Sequence, residues 1–238
     1  MVTIERINGE SLEFPSTEQA LSYPNGLLAV GGDLSVRRLL HAYRRGIFPW
    51  YEDPQPILWW SPDPRSVLFP DELNISRSLR KTIRRDNFLV TADRAFHRVL
   101  SGCAAPREHE RGTWITNAMG RAYMELHRCG YAHSIEVWDE HRQLLGGLYG
   151  VALGKVFFGE SMFSRASDAS KIALVALVQL MREQRLEVID CQVESTHLNS
   201  MGARNIPRLD FEQFLAHTGA VEGTGGKWSL ELGSGELL

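Results

Sequence analysis

The feature that most constrains the fold of this 238-residue chain lies between residues 133 and 193, where the hydrophobic period changes twice. HSIEVW (133–138) alternates at period two, as a half-buried strand does, and DEHR after it is a turn. Segments 143–151 and 155–160 carry the same period and meet at a tight turn at Gly154. The period then becomes helical over 168–184. Ser167 or Asp168 can cap that helix, and its stretch Ile172–Val178 is apolar almost all round, which predicts a buried helix. LEVIDCQV (186–193) returns to a strand. Three antiparallel strands, a buried helix and a further strand make an α+β layer in which the helix crosses over to the last strand.

The remainder is less regular. Residues 1–64 hold most of the chain's ten prolines and the aromatic run Trp50, Tyr51, Trp59, Trp60. One helix is visible there, capped by Asp33 or Ser35, with Leu39, Leu40 and Tyr43 on its apolar side and Gly46 at its end. This predicts a small, irregular N-terminal domain (1–64). Further helices are expected near 116–129, ending at Gly130, and near 210–217. From Gly219 the chain is Gly-rich, and apart from Trp228 it is expected to be poorly anchored. The order of elements after residue 65 resembles the N-acetyltransferase-like (GNAT-like) arrangement, in which two neighbouring strands splay apart around an acyl donor. The second domain is therefore placed at 65–238.

NISRSLRKTIRRD (74–86) is a two-faced helix. Arg77, Arg80, Lys81, Arg84 and Arg85 form one stripe, and Ile75, Leu79 and Ile83 form the other. Such a stripe is either a solvated surface or a contact for a phosphate backbone, because five like charges on one face repel unless an anion joins them. The net charge of −3 excludes a protein that is basic overall, but not a local basic patch.

Three cysteines with no CxxC spacing argue against a disulfide framework or a zinc ribbon, and the eight histidines form no ligand motif, so no metal is expected. No signal-peptide pattern begins the chain, and no run approaches the roughly 18 apolar residues of a membrane span. A cytoplasmic protein without a membrane partner is expected.

For chemistry, Asp190 and Gln192 are two apart and should share one strand face, opposite Ile189, Cys191 and Val193. Glu160 ends the neighbouring strand. Together they could hold an amine; alternatively, Asp190 merely closes a loop. Cys191, on the other face, is not expected to be a nucleophile. Phe157 and Phe158 point to opposite sides, one into the core and one free to line a pocket. The tryptophans 50, 59, 60 and 114 could stack on a base or fill the core.

A set of segments then resembles one family, the leucyl/phenylalanyl-tRNA–protein transferases: PNGLLAVGGDL (24–34), YRRGIFPWY (43–51), ILWWSPDPR (57–65), ISRSLRK (75–81), GTWIT (112–116), HSIEVW (133–138), GGLYGVALG (146–154), FFGESMFSR (157–165), ASK (169–171) and IDCQV (189–193). They run in family order from about Phe14 to about Phe214. The resemblance implies transfer of Leu or Phe, sometimes Met, from aminoacyl-tRNA to proteins whose N-terminal residue is Arg or Lys. The product would be marked for N-terminal-residue-dependent degradation.

The resemblance also implies roles. Gln192 would position the attacking amine or the reacting carbonyl. Asp190 would orient Gln192 and assist with the proton, and Glu160 would hold the acceptor's amine or the donor. Leu148, Phe157, Leu174, Leu177 and Met181 are the candidates for the aminoacyl pocket, Trp50 and Trp114 for the terminal adenosine. The basic stripe would hold the acceptor stem. No cofactor is implied. SMFSRASDAS (161–170) lacks the glycines of a CoA pyrophosphate turn, so CoA is not expected. An acyl-CoA-dependent N-acyltransferase and a nucleic-acid-binding regulator without chemistry are the competing assignments.

Overall fold

The computed structural model describes residues 4–85, 87–105, 115–217 and 226–238. Trp114, most of GTWIT and residues 218–225 lie outside them.

Residues 5–60 form a four-stranded sheet rather than an irregular domain. Strand β1 (Glu5–Ile7) runs parallel to β2 (Leu27–Gly31), and β4 (Leu58–Trp60) lies antiparallel between β2 and β3 (Phe48–Pro49). These strands are two to five residues long and broken by prolines, too short for a period-two signal to emerge. Helix α1 (Val36–Tyr43) starts where expected, with the Ser35 hydroxyl accepting from the Arg38 N–H, and the chain turns out of it at Gly46 (φ +70°).

The second sheet has eight strands in the order β11-β5-β10-β9-β8-β7-β6-β12. In chain order these are β5 (Arg65–Leu68), β6 (Leu89–Ala92), β7 (Ala132–Trp138), β8 (Leu144–Leu153), β9 (Val156–Ser164), β10 (Val188–Gln192), β11 (Arg204–Ile206) and β12 (Leu230–Gly233). Every neighbouring pair is antiparallel except β9 and β10, which helix α5 (Ala169–Glu183) connects as a crossover. The expected strands, buried helix and returning strand are all present. The other helices are α2 (Arg77–Arg84), α3 (Phe96–Ala104), α4 (Asn117–Arg128), α6 (Thr196–Ser200) and α7 (Arg208–His217).

The large sheet is covered on both faces. On one side α5, apolar nearly all round, packs with Leu79 and Ile83 of α2 against Leu148, Phe157 and Ile135. On the other side α3, α4, α1 and Phe211 of α7 pack against Tyr149, Val151 and Phe158. This second layer also takes in Trp59, Phe48 and Ala29 of the small sheet, so both sheets share it.

Two details of register matter for function. Strands β9 and β10 pair only from Val188↔Val156 to Asp190↔Phe158; β9 then continues to Ser164 along β8 alone. The two strands part there. Between β8 and β9 the register slips by one residue, so Glu160 is the extra residue of a bulge. Bulges bend a strand and re-aim a side chain. Gly150 makes this close packing possible: a Cβ there would lie 2.2 Å from the Phe158 carbonyl oxygen.

Three expectations need correction. Asp168 precedes α5 in the left-handed region (φ +66°) without capping it; its carboxylate instead accepts from Thr82 Oγ1 and pairs with Lys171. Helix α3 was not anticipated. No side chain caps its first turn, and Glu136 of β7 accepts from the N–H of the N-cap residue Ala95, at 3.2 Å, so no local cap announces it. The tail beyond residue 226 is anchored: β12 adds to the sheet edge at β6, and the buried Trp228 indole stacks on His133 at 4.0 Å. Its backbone N–H also donates to Asp93.

Trp228→Ala should therefore lower global stability by about 3 kcal/mol, the usual cost of truncating a buried tryptophan. Urea denaturation measures this, and an unchanged midpoint would mean that the tail is not part of the folded core.

Candidate active site

The site grows from the two register faults. The bulge turns Glu160 toward the face that carries α1 and α4. There, Tyr43 of α1 donates to Glu160 Oε1 at 2.7 Å and Tyr123 of α4 donates to Oε2 at 2.5 Å. The two phenol oxygens are 3.0 Å apart. Gln192 Nε2 donates to Oε1 at 3.3 Å. Burial pushes the Glu160 carboxyl up to about 7, against the opposing pull of the Tyr123 and Tyr43 hydrogen bonds. The same burial, reinforced by the Glu160 charge, holds the tyrosine hydroxyls well above their ordinary range. Tyr149 adds a third phenol, buried and without a hydrogen-bond partner among the described residues.

Asp190 is solved differently. Its two oxygens accept from Arg65 Nε at 2.7 Å and Nη2 at 2.6 Å, a bidentate ion pair with no exposure on either side chain. Arg65 also donates to the Gly46 carbonyl and lies over the rings of Phe48 and Phe211. Asp190 Oδ1 accepts the Gln192 backbone N–H at 2.9 Å. Gln192 itself has φ +64°, a left-handed conformation that a side-chain-bearing residue rarely adopts, and β10 is bulged between Asp190 and Gln192. Strand alternation is thus broken just where the sequence assumed it held. Asp190 and Gln192 still act together, through a side chain-to-backbone bond rather than a shared face. The Asp190 charge is thus matched by Arg65.

The structure therefore brings together Glu160, Asp190 and Gln192. It adds Tyr43, Tyr123 and Arg65, which sequence reasoning missed: the tyrosines sat on apolar helix faces and passed for core. A clue existed for Arg65, since a buried Asp on a central strand needs a cation and SPDPR supplies one.

Leu148, Phe157, Leu174, Leu177 and Met181 are all buried in the layer between the sheet and α5, across the sheet from Glu160. They form a closed apolar cluster rather than an open pocket beside the carboxylate. Phe158 is equally buried on the opposite face, so neither phenylalanine is free. Cys191 is buried among the α5 cluster, with burial holding its thiol well above the ordinary range, which removes it as a nucleophile. Trp50 is half-exposed and packs at 5.6 Å on Trp60, whereas Trp59 is core. Trp114 lies outside the described residues. Arg77, Arg80, Lys81, Arg84 and Arg85 are all exposed and make no ion pair among the described residues. A cavity of about 980 Å³ between α3 and α4, lined by His97, Arg121, Met124 and His127 among others, contains none of the three polar site residues. Among the described residues no acidic, His or Cys cluster could hold a metal, and no helix is long and apolar enough to cross a membrane.

A family model described as leucyl/phenylalanyl-tRNA protein transferase matches residues 67–216, and one for the N-terminal domain of these proteins matches residues 32–63. The leucyl/phenylalanyl-tRNA–protein transferase of Stutzerimonas stutzeri (strain A1501) is 59% identical over 207 residues, covering 87% of this chain and 91% of that protein. That of Pseudomonas fluorescens (strain Pf0-1) is 60% identical over 206 residues with the same coverage. That of Azotobacter vinelandii (strain DJ / ATCC BAA-1303) is 57% identical over 208 residues, covering 87% and 92%. Among solved structures, L-PGS from Bacillus licheniformis aligns at a TM-score of 0.38 and 12% identity over 71% of this chain and 53% of that one, too loose a likeness to bear on fold or function.

Asp190→Asn should leave the Arg65 guanidinium buried without its counter-charge and cost about 3–5 kcal/mol. Adding Arg65→Met should restore part of that loss, as read from denaturant midpoints. Wild-type stability in the single variant would contradict the role assigned to the pair.

Proposed function

The chain belongs to the leucyl/phenylalanyl-tRNA–protein transferase family, and from that premise we propose that Glu160, Gln192 and Asp190 form its reaction centre. The enzyme is an aminoacyltransferase. It moves Leu or Phe, sometimes Met, from aminoacyl-tRNA to the N-terminus of proteins that begin with Arg or Lys, marking them for degradation. The acceptor's α-amine attacks the ester carbonyl; the C–N bond forms, the C–O bond to the ribose breaks, and the released ribose oxygen takes the proton that the amine gives up. The ester is already activated, so neither ATP nor a metal is required, and positioning is the main task.

The observation that carries this assignment is a buried carboxylate with a pKa of about 7, ringed by neutral donors and set where β9 and β10 part. Glu160 holds the α-ammonium of the donor. Because that group and the donor side chain share one carbon, the side chain enters the gap between the strands toward Phe157, Leu174, Leu177, Met181 and Leu148, whose closed cluster must open to admit it. Gln192, fixed through Asp190, positions the acceptor amine against the carbonyl. Trp50 and Trp114 take the terminal adenosine, and the free cations of α2, Arg77, Arg80, Lys81, Arg84 and Arg85, take the tRNA backbone. Parting parallel strands joined by a buried helix support a GNAT-like catalytic domain at 65–238 behind a small N-terminal domain at 1–64. CoA is disfavoured, because Asp168 sets a carboxylate at the start of α5, where a pyrophosphate would sit. A tRNA substrate implies a cytoplasmic location.

The direct test is transfer of labelled Leu from Leu-tRNA to a peptide beginning with Arg, with an otherwise identical Ala peptide as control. Transfer to the Arg peptide alone is expected, and Gln192→Ala should lower kcat by roughly 10²-fold. Unaltered transfer in that variant would remove Gln192 from the site.

The pH dependence follows from Glu160. Its ionised form binds ammonium, so kcat/KM should climb through pH 7, and Glu160→Gln should abolish that limb, leaving only the titration of the amines. Stability runs the other way. A carboxyl raised from 4.5 to about 7 keeps its proton longer when folded, so stability falls as pH rises between those values. Glu160→Gln should therefore be less active than wild type yet at least as stable at pH 8, whereas a stability loss there would make Glu160 a structural residue.

A further inference from the structure

The proposed reaction leaves one requirement unmet: something must read the cationic side chain of the acceptor's first residue. Of the carboxylates on or just after β9 and β10, Glu160 is enclosed by tyrosines and Asp190 is neutralised by Arg65. Glu194 differs from both. It lies two residues beyond Gln192, is exposed, and makes no ion pair among the described residues.

It is nonetheless held. Asn199 Nδ2 of α6 donates to Glu194 Oε1 at 2.8 Å, and Asn205 Nδ2 of β11 donates to Oε2 at 2.8 Å. A surface glutamate ordinarily samples many rotamers, and ordering it costs entropy. Here two neutral donors from two elements have already ordered it without cancelling its charge, and their hydrogen bonds hold its carboxyl below the ordinary range. Between it and Gln192 stands Val193, an apolar side chain that is half-exposed.

We infer that Glu194 is a specificity-determining residue, binding the arginine guanidinium or lysine ammonium of the acceptor's N-terminal residue while Val193 covers its aliphatic stem. The inference rests on the functional assignment above. The reach agrees: residues two apart lie at most roughly 7 Å apart even in a fully extended chain, and the bend at Gln192 brings them nearer, within the span from a lysine's α-nitrogen to its ammonium. An acceptor whose α-amine is at Gln192 can thus put its cation at Glu194. The stem-and-head arrangement suits both Arg and Lys, whose long methylene chains pack on apolar surface while the charge stays at a wet rim. A carboxylate fixed before binding also leaves less disorder to remove when the acceptor arrives.

The test varies Arg-peptide concentration at saturating Leu-tRNA in wild type, Glu194→Gln and Asn199→Ala/Asn205→Ala. Glu194→Gln should raise the acceptor KM roughly fivefold or more, in line with loss of a solvent-exposed charge pair, and leave kcat within about twofold. The wild-type KM should rise with added salt, and that salt dependence should flatten in Glu194→Gln, an effect a merely structural residue would not produce. The double asparagine variant, which keeps the charge but frees it, should fall between. A KM in Glu194→Gln within twofold of wild type, or a fall in kcat without a change in KM, would overturn the inference while leaving the functional assignment intact. Failure of the unmodified enzyme to transfer Leu to the Arg peptide would instead overturn that assignment, and this inference with it.

Discussion

Arg65 and Asp190 sit side by side with no access to water, and the organisation of the site follows from that contact. Taking two charges out of water is expensive, and only good geometry and further hydrogen bonds make it tolerable. Here the guanidinium fork meets the carboxylate edge to edge, the remaining nitrogen reaches the Gly46 carbonyl at the end of α1, and Phe48 and Phe211 close over its faces. One side chain thereby ties the small sheet, the neighbouring strands β5 and β10, and α7 into a single arrangement. Asp190, held in this way, grips the Gln192 N–H and keeps that residue in a conformation it would not adopt unaided.

Glu160 shows the converse solution. Among the described residues it has no ion-pair partner, only neutral donors, and burial pushes its carboxyl up to about 7. Two neighbouring acids are thus held in different ways by their surroundings alone. The sheet produces the difference. A bulge re-aims Glu160 into the tyrosine-lined face, while an ordinary strand position keeps Asp190 against β5.

Much of this arrangement was legible in the sequence, and the parts that were not share a cause. Period changes identified β7 to β10 and the all-round apolar α5, because each is long enough for its period to repeat. The small sheet was invisible because its strands, two to five residues long, are too short for the alternation to repeat. Helix α3 was invisible because no side chain caps its first turn, and Glu136, which meets its N-cap residue, comes from a strand some forty positions later in the chain. The tail's anchoring was half visible in Trp228, but β12 gains its strand character only from pairing with β6. At the site, Glu160, Asp190 and Gln192 were accessible as residue types, yet their geometry was not, since strict alternation cannot foresee a bulge at Glu160 or a left-handed Gln192. Tyr43 and Tyr123 belong to the site only through tertiary contacts, and nothing in their local sequence separates them from core, whereas Arg65 was signalled only by the cation that a buried Asp190 requires.

The chemistry places a demand that this asymmetry meets. Donor and acceptor both present an α-amino group, with an unperturbed pKa of about 7.7–8.0. For aminolysis the acceptor's must be neutral, because only the free amine attacks, while the donor's may stay charged. A site that offered carboxylates to both would hold the acceptor as unreactive ammonium. In the proposed site, a single carboxylate for the donor, and a neutral amide fixed by a fully compensated Asp190 for the acceptor, would separate the two amines. On this assignment the ion pair between Arg65 and Asp190 does more than support the fold: by cancelling the Asp190 charge, it keeps the acceptor amine's pKa from being driven up at the point where it must lose its proton.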